Sequence, residues 1–189
     1  MNVPSLLKSL RENKENRLQI FANSVLDLPY LISPLAAYKQ KEILVTKTSG
    51  FDCVTLVEHY LSALNSKNLN EYKTNLRKVR YLNSIISWKT RKHYFSTWLK
   101  DNQKIGLIQK VSQKNSLNKK CLLNIVPGIP ELKISFKYSD SSEFKNGDII
   151  TFVSSADNLD YFHVGIIFNS NKKIKNHFQR PMKNQHNSF

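Results

Sequence analysis

Cysteine is scarce in this sequence, which has only Cys53 and Cys121 among its 189 residues. Two cysteines are too few for a disulfide framework and too few for a structural zinc site, which needs four ligands. A single bridge between the two is compatible with the count, and it would leave no free thiol. The scarcity therefore turns attention to what one unpaired thiol could do.

Long apolar runs are also missing. No stretch approaches the roughly 18 to 20 apolar residues that a membrane-spanning helix requires. The first twelve residues contain neither an apolar signal-peptide core nor a small-residue cleavage site. We therefore expect no transmembrane segment. By default we expect a cytoplasmic location. The expected location is the periplasm or cell envelope if a leader was removed or if export needs no signal.

Acidic residues are outnumbered, with 14 Asp and Glu against 29 Lys and Arg, so the net charge is 29 − 14 = +15. Such a field attracts polyanions: nucleic acid, acidic membrane surfaces or carboxylate-rich substrates. The basic residues are scattered and no nucleic-acid-binding motif is present, which argues against nucleic acid as the partner. Hydrophobic residues make up 40% of the chain, enough for one globular domain over 1–189 with a frayed polar tail at 179–189.

Apolar spacing predicts helices in the first hundred residues and strands afterwards. Helices are expected before Pro29 and Pro34 and over about 53–64, 70–81 and 90–100, with a short strand at 42–46. Short apolar runs between turn residues predict strands at 105–111, 122–126, 132–138, 148–153 and 162–168. Helices first and strands later indicate an α+β domain.

Cys53 lies in the first turn of the predicted helix 53–64, directly after Asp52, which suits the N-cap position. A helix N-terminus and a nearby imidazolium stabilise a thiolate, so the thiol pKa can fall to about 3.5–7.5. Backbone N–H groups at the same helix end can bind an oxyanion. A buried cysteine in such a place is more often a small apolar residue, so the pattern alone does not establish a nucleophile.

His163 begins an apolar strand 163 − 53 = 110 residues after Cys53. A histidine facing the thiol can act as base and then as acid toward a leaving amine, provided that a partner orients its other ring nitrogen.

The next strand supplies candidates for that partner. A three-residue loop at 169–171 would place His163 opposite His177; a one-residue change in loop length would bring Phe178 instead, and one more would bring Gln179. His177 and Gln179 share the required face, and Asn176 is a third, weaker candidate.

Four stretches, taken in order over 17–178, resemble elements of one bacterial family. They are 17–30, ending in Leu-Pro-Tyr; 51–58, Phe-Asp-Cys-Val-Thr-Leu-Val-Glu; 90–102, Thr-Arg-Lys-His-Tyr-Phe-Ser-Thr-Trp-Leu-Lys-Asp-Asn; and 146–150, Asn-Gly-Asp-Ile-Ile, followed by His-Val-Gly-Ile at 163–166. The family is that of the NlpC-type cysteine amidases, N-acetylmuramoyl-L-alanine amidase-like. The resemblance implies a papain-like fold, in which N-terminal helices and the nucleophile helix pack on an antiparallel sheet or barrel.

The resemblance also implies roles for individual residues. Cys53 would attack an amide carbonyl and form an acyl-enzyme, His163 would be the base, and His177 would orient it. The substrate groove would be lined by four side chains of the 90–102 stretch: Arg91, His93, Tyr94 and Trp98. Asp52, beside the nucleophile, would also contact the substrate. No metal or cofactor is needed.

The expected function is hydrolysis of an amide in peptidoglycan fragments (muropeptides), at the bond between N-acetylmuramic acid and L-alanine. Alternatives on the same site are a stem-peptide endopeptidase and an effector that attacks another cell's wall. Further alternatives are a decayed family member that only binds muropeptide and a basic nucleic-acid-binding protein.

Overall fold

A computed structural model of the chain describes residues 1–35, 41–110, 145–153, 161–170 and 173–174. Several predictions fall on other residues and lie outside these ranges: the strands at 122–126 and 132–138, the tail at 179–189, and the environments of Cys121 and His177.

Helices precede a small antiparallel sheet, so the predicted α+β class is confirmed. Within the described ranges the helices are α1 (Val3–Glu12), α2 (Arg17–Val25), α3 (Cys53–Leu64), α4 (Leu69–Arg80) and α5 (Phe95–Lys104). Short 3-10 helices at Leu82–Ser84 and Trp88–Thr90 lie between α4 and α5. The strands are β1 (Ile149–Val153), β2 (Tyr161–Ile166), β3 (Asn169–Ser170) and β4 (Lys173–Ile174).

Helix α3 forms the centre of the core. The predicted bounds 53–64 are confirmed, and those of 70–81 hold for α4 to within one residue. Val57 is fully buried, and Tyr60 meets Phe21 of α2 edge to face, with ring centroids 5.3 Å apart. On the facing side, Tyr72 and Leu76 of α4 are also completely buried. Each such side chain contributes about 1.5–3 kcal/mol through removal from water, so α3 is held from two sides.

A buried ion pair joins α3 to α4. Arg80 Nε donates to Glu58 Oε2 at 2.7 Å, and both side chains are almost fully buried. The carboxylate beside it raises the pKa of Arg80 although burial opposes this, so the guanidinium stays charged. Removing either partner would leave a buried charge uncompensated.

The strand predicted at 42–46 is wrong, because side chains satisfy its carbonyl groups. Arg80 Nη1 donates to the carbonyl of Val45 at 2.8 Å, and the Tyr81 hydroxyl donates to that of Ile43 at 3.2 Å. The segment is therefore held by α4 and the residue after it, rather than by a neighbouring strand.

The helix predicted over 90–100 is wrong in its first half. Tyr81 and Arg91 form an antiparallel bridge, and the N–H of Lys92 donates to the carbonyl of Arg80 at 3.0 Å. These bonds hold 91–92 extended, so α5 begins only at Phe95. The strand predicted from residue 105 is also absent over 105–110, where Gly106 takes a φ of 73° just after α5.

The strands predicted at 148–153 and 162–168 are present as β1 and β2, which pair antiparallel, although β2 ends at Ile166. Ile149 lies opposite Ile166, and Phe152 lies opposite His163. The shorter pair β3–β4 has Ser170 opposite Lys173. A three-residue loop at 169–171 would instead pair residues 168 and 172. The loop length from which we predicted that His163 lies opposite His177 is therefore wrong.

Gly147 fixes where the sheet begins relative to α3. Its φ is 93°, a left-handed conformation that strains other residues. Its N–H donates to the carbonyl of Ile167 at 2.8 Å, and its own carbonyl accepts from the Tyr60 hydroxyl at 3.2 Å. A Cβ at this position would lie 2.7 Å from the Tyr60 hydroxyl oxygen.

We predict that Gly147→Ala destabilises the fold more than Gly106→Ala does. Both glycines have positive φ, but a Cβ on Gly106 meets nothing within 4 Å. Backbone strain alone costs about 1–2 kcal/mol, and the clash at Gly147 adds to it. Urea unfolding measures both values. Tyr60→Phe should reduce the cost of Gly147→Ala, and equal costs for the two glycines would contradict the account.

Candidate active site

The start of α3 is fixed by reciprocal hydrogen bonds between Asp52 and Thr55. The N–H of Thr55 donates to Asp52 Oδ1 at 2.7 Å, and the N–H of Asp52 donates to Thr55 Oγ1 at 3.0 Å. This capping box makes Cys53 the first residue of the helix, as its spacing predicts. The Asp52 carboxylate also accepts from the Thr55 hydroxyl, so its contacts are explained by capping, without a substrate.

The Cys53 side chain is a free thiol, partly buried at the N-terminus of α3. Three polar groups lie close enough to the sulfur to lower the pKa of the thiol: the backbone N–H of Val164, the hydroxyl of Tyr30, and the backbone N–H of Val54. Val164 belongs to β2 and is buried against the core. The sulfur therefore lies where α3 and β2 meet.

His163 directly precedes Val164, whose N–H lies close to the sulfur. It lies in β2 opposite Phe152, and its side chain is partly buried. Burial lowers the pKa of His163 below its ordinary value, so the ring is neutral at pH 7. The structure thus brings the strand that carries His163 to Cys53, while His177 lies outside the described residues.

The electrostatics of the thiol differ from the sequence-based expectation of a depressed pKa. Burial raises the pKa of Cys53, and the Asp52 carboxylate raises it further. The N–H of Val164 and the Tyr30 hydroxyl lower it, but they do not outweigh burial. At neutral pH the resting group is therefore a thiol beside a neutral histidine, and a base must take its proton when it reacts.

Tyr30 is the residue that sequence reasoning missed. Burial, followed by the charges of Cys53 and Asp52, raises its pKa to about 12, so its hydroxyl stays protonated. The signal was present in the Leu-Pro-Tyr segment at 28–30, but no role was assigned to it.

A short parallel bridge places Tyr30 beside Cys53. The N–H of Leu31 donates to the carbonyl of Phe51 at 2.9 Å, and the N–H of Phe51 donates to that of Pro29 at 3.2 Å. Gly50 allows this approach, because a Cβ there would lie 2.5 Å from the Pro29 carbonyl oxygen.

The prediction that Trp98 lines the substrate groove is wrong. Its side chain is completely buried, and its ring stacks on Phe95 at a centroid distance of 4.8 Å. The two residues are three apart in α5 and share its core face. The presence of Trp98 in the stretch that resembles the family thus has a packing explanation.

Arg91 is also paired within the fold, contrary to the expectation that it lines the substrate groove. Its Nη1 lies 3.2 Å from Glu42 Oε1, and these side chains are only 9% and 5% exposed. The guanidinium carbon lies 4.3 Å from the centre of the Trp88 ring. Its charge is therefore neutralised before any ligand binds.

His93 and Tyr94 are exposed, as a groove position requires. Tyr94 is 65% exposed and directly precedes Phe95. The ring of Phe95 meets that of Tyr161 in β2 at a centroid distance of 5.8 Å. Tyr161 lies opposite Val153 and His163 lies opposite Phe152, so β2 has a bulge between them and the alternation that would place both side chains on one face is broken. Tyr94 is therefore connected, through two packed rings, to the strand that carries His163.

Across the described part of the chain, no group of three or more His, Cys, Asp and Glu side chains is placed to hold a metal ion. None of the helices in these ranges combines the length and the apolar character that crossing a bilayer requires.

More than half of the chain matches a known family. The model of the AmiA-like family, described as N-acetylmuramoyl-L-alanine amidase-like, matches residues 20–125, which is more than half of the chain. The chain belongs to the AmiA-like family. The matched range includes the Tyr30 segment, Cys53 and the whole of α3 to α5, whereas β1 and β2 lie beyond it.

Solved structures share the fold of this AmiA-like chain. A Bacteroides fragilis protein provisionally designated a xylanase is 25% identical, with a TM-score of 0.59 over 78% of this chain and 80% of that one. An N-acetylmuramoyl-L-alanine amidase from Bacteroides uniformis ATCC 8492 is 23% identical, with a TM-score of 0.60 over 83% of this chain and 81% of that one. No protein of curated function matches the sequence.

We predict that Asp52→Asn lowers the pKa of the Cys53 thiol. The substitution removes a negative charge that raises this pKa, and Asn caps helices as well as Asp does. The pH dependence of iodoacetamide alkylation, measured with Cys121→Ser to leave one thiol, should shift to lower pH. Thr55→Val, which weakens the cap but keeps the charge, is the control. An unchanged alkylation profile for Asp52→Asn would show that the carboxylate does not act on the sulfur.

Proposed function

We propose that this chain is a cysteine amidase with a papain-like, NlpC-type fold, formed as one domain over 1–189, that hydrolyses an amide bond in peptidoglycan fragments. The observation that carries the proposal is the packing of α3, which begins at Cys53, against β2, which carries His163, with the N–H of Val164 close enough to the thiol to act on its pKa. It brings the histidine-bearing strand to the helix that carries the thiol. The family description supports amide hydrolysis.

In the proposed mechanism, neutral His163 takes the proton of Cys53 as the sulfur attacks the amide carbonyl. The backbone N–H groups at the start of α3 receive the negative charge that develops on the carbonyl oxygen. The imidazolium then protonates the leaving amine, and an acyl thioester forms on Cys53. His163 next activates a water molecule, which releases the acid and regenerates the thiol. No metal or cofactor takes part in these steps.

Tyr30 completes the site. Because its pKa is raised to about 12, its hydroxyl donates to the sulfur rather than repelling it. A donor at this position stabilises the thiolate that forms transiently when His163 takes the proton. We therefore add Tyr30 to the residues that act on the nucleophile.

The proposed substrate is a muropeptide, cut between N-acetylmuramic acid and L-alanine. The family description names this bond, and a net charge of +15 favours a substrate that carries carboxylates. The side chains proposed to contact it are the exposed His93 and Tyr94. Tyr94 directly precedes Phe95, whose ring packs on Tyr161 of β2, the strand that carries His163.

The provisional xylanase among the structural neighbours raises glycoside hydrolysis as an alternative. Glycosidases use two carboxyl groups about 5–9.5 Å apart. In the described part of the chain, the carboxylate next to Cys53 is that of Asp52, which caps α3, and that of Glu58 is buried against Arg80. Amide hydrolysis therefore fits the site better, and product analysis also separates it from endopeptidase cleavage within the stem.

The direct test is incubation with purified muropeptides, followed by mass spectrometry of the products. We predict that the wild-type protein releases intact stem peptide and that Cys53→Ala lowers the rate by roughly 10⁴-fold or more, with unchanged folding. Cys121→Ala is the matched control and should keep full activity. Undiminished hydrolysis by Cys53→Ala would exclude the nucleophile, and cleavage within the stem peptide would identify an endopeptidase.

A separate comparison addresses the orienting residue, for which we propose His177 over Gln179 and Asn176. A lost orienter leaves the base in the wrong tautomer or position, which lowers kcat by about 10²- to 10⁴-fold and changes KM little. Steady-state kinetics of His177→Ala, Gln179→Ala and Asn176→Ala should show this loss for His177→Ala. Wild-type kinetics for all three variants would show that none of these side chains orients His163.

A further inference from the structure

The loop between α4 and α5, residues 82–90, exposes an unusual amount of apolar surface. Ile85 is 55% exposed, Ile86 38% and Trp88 40%. Single exposed apolar residues are normal, whereas three within four positions of one loop indicate a contact surface. We call residues 82–90 the α4–α5 loop.

The α4–α5 loop is held in one conformation. Its base is closed by the antiparallel bridge between Tyr81 and Arg91. Within it, the Thr90 hydroxyl donates to the carbonyl of Ile85. Asn83 and Ser84 have φ values of 50° and 58°, and non-glycine residues keep such strained values only where the surrounding structure imposes them. The apolar side chains are therefore displayed on a preorganised support.

The charge around the loop has one sign. No acidic residue occurs between Glu71 and Asp101. The exposed lysines of this interval lie in α4, in the loop and in α5; they are Lys73, Lys78, Lys89 and Lys100. Arg91 and Lys92 in the same interval are already paired, with Glu42 and Asp101. Lys78 in the last turn of α4 and Lys89 within the loop are the exposed lysines nearest the apolar tip along the chain, and a tip so flanked is complementary to a surface that is anionic outside and apolar beneath.

We propose that the α4–α5 loop docks this protein onto an anionic lipid bilayer. Ile85 and Ile86 enter the boundary between headgroups and acyl chains, and Trp88 lies at the interface, where its amphipathic ring is favoured. The lysines contact the lipid phosphates. Trp88 of this loop packs on His93, one of the side chains proposed to contact substrate, but the inference does not depend on amide hydrolysis.

A saccharide is the other ligand that an exposed tryptophan could bind, and the contacts of Trp88 argue against it. The Arg91 guanidinium lies 4.3 Å from the ring centre, and the His93 ring lies at the same centroid distance. These groups occupy ring surface on which a sugar would stack. The two aliphatic side chains beside Trp88 are also better suited to lipid.

The test is sedimentation of the full chain with vesicles of phosphatidylcholine alone or of phosphatidylcholine mixed with phosphatidylglycerol. We expect binding to the mixed vesicles only, weakened by salt. Ile85→Ser with Ile86→Ser should reduce binding by roughly tenfold or more, and Lys89→Ala by about fivefold. Ile105→Ser is the matched control, because Ile105 is 47% exposed at the far end of α5, and it should bind like wild type.

Tryptophan fluorescence gives a second readout. The chain has two tryptophans, and Trp98 is completely buried, so a blue shift on binding reports Trp88 and should vanish in Trp88→Phe. No binding to the mixed vesicles, or equal binding by the Ile85→Ser, Ile86→Ser variant, would overturn the proposal. So would a Trp88 signal that responds to peptide-free glycan chains and not to vesicles, which would assign the loop to saccharide.

Discussion

The contact between the Val164 N–H and the Cys53 sulfur is the interaction on which the site depends. It is the point where a helix from the first third of the chain meets a strand more than a hundred residues later. Two features hold that meeting point in place. The capping box of Asp52 and Thr55 fixes where α3 starts, and the Gly147 turn fixes where the sheet starts relative to Tyr60. A shift in either would move the sulfur away from β2.

Electrostatics determine how the thiol can react. Helix N-termini stabilise anions, yet burial and the neighbouring Asp52 carboxylate raise the pKa of Cys53. The same burial lowers the pKa of His163. Both shifts favour the neutral forms, so the proposed chemistry starts from a thiol and an imidazole rather than from an ion pair. The N–H of Val164 and the Tyr30 hydroxyl then act mainly on the thiolate that forms during attack.

Local signals in the sequence predicted local structure well. The cap at Asp52 and the apolar stripe after it are short-range features, and α3 begins and ends where they predict. The strand prediction for 42–46 was wrong because the segment is held by the side chains of Arg80 and Tyr81, which are distant in the sequence and which no local pattern reveals. The prediction that Trp98 lines the substrate groove was wrong for the opposite reason. There we gave a motif resemblance more weight than the helical spacing, which marks Trp98 as a core residue. Tyr30 could not be assigned because its role depends on a bridge to Phe51.

The most direct test of the central claim is a titration of the His163 ring by NMR, before and after carboxymethylation of Cys53, with Cys121→Ser to leave one thiol and His163→Gln to assign the signal. If the sulfur and the ring share one site, the pKa of His163 lies below its ordinary value in the free protein and rises when a negative carboxymethyl group is attached to the sulfur. An identical titration curve before and after modification would contradict the account.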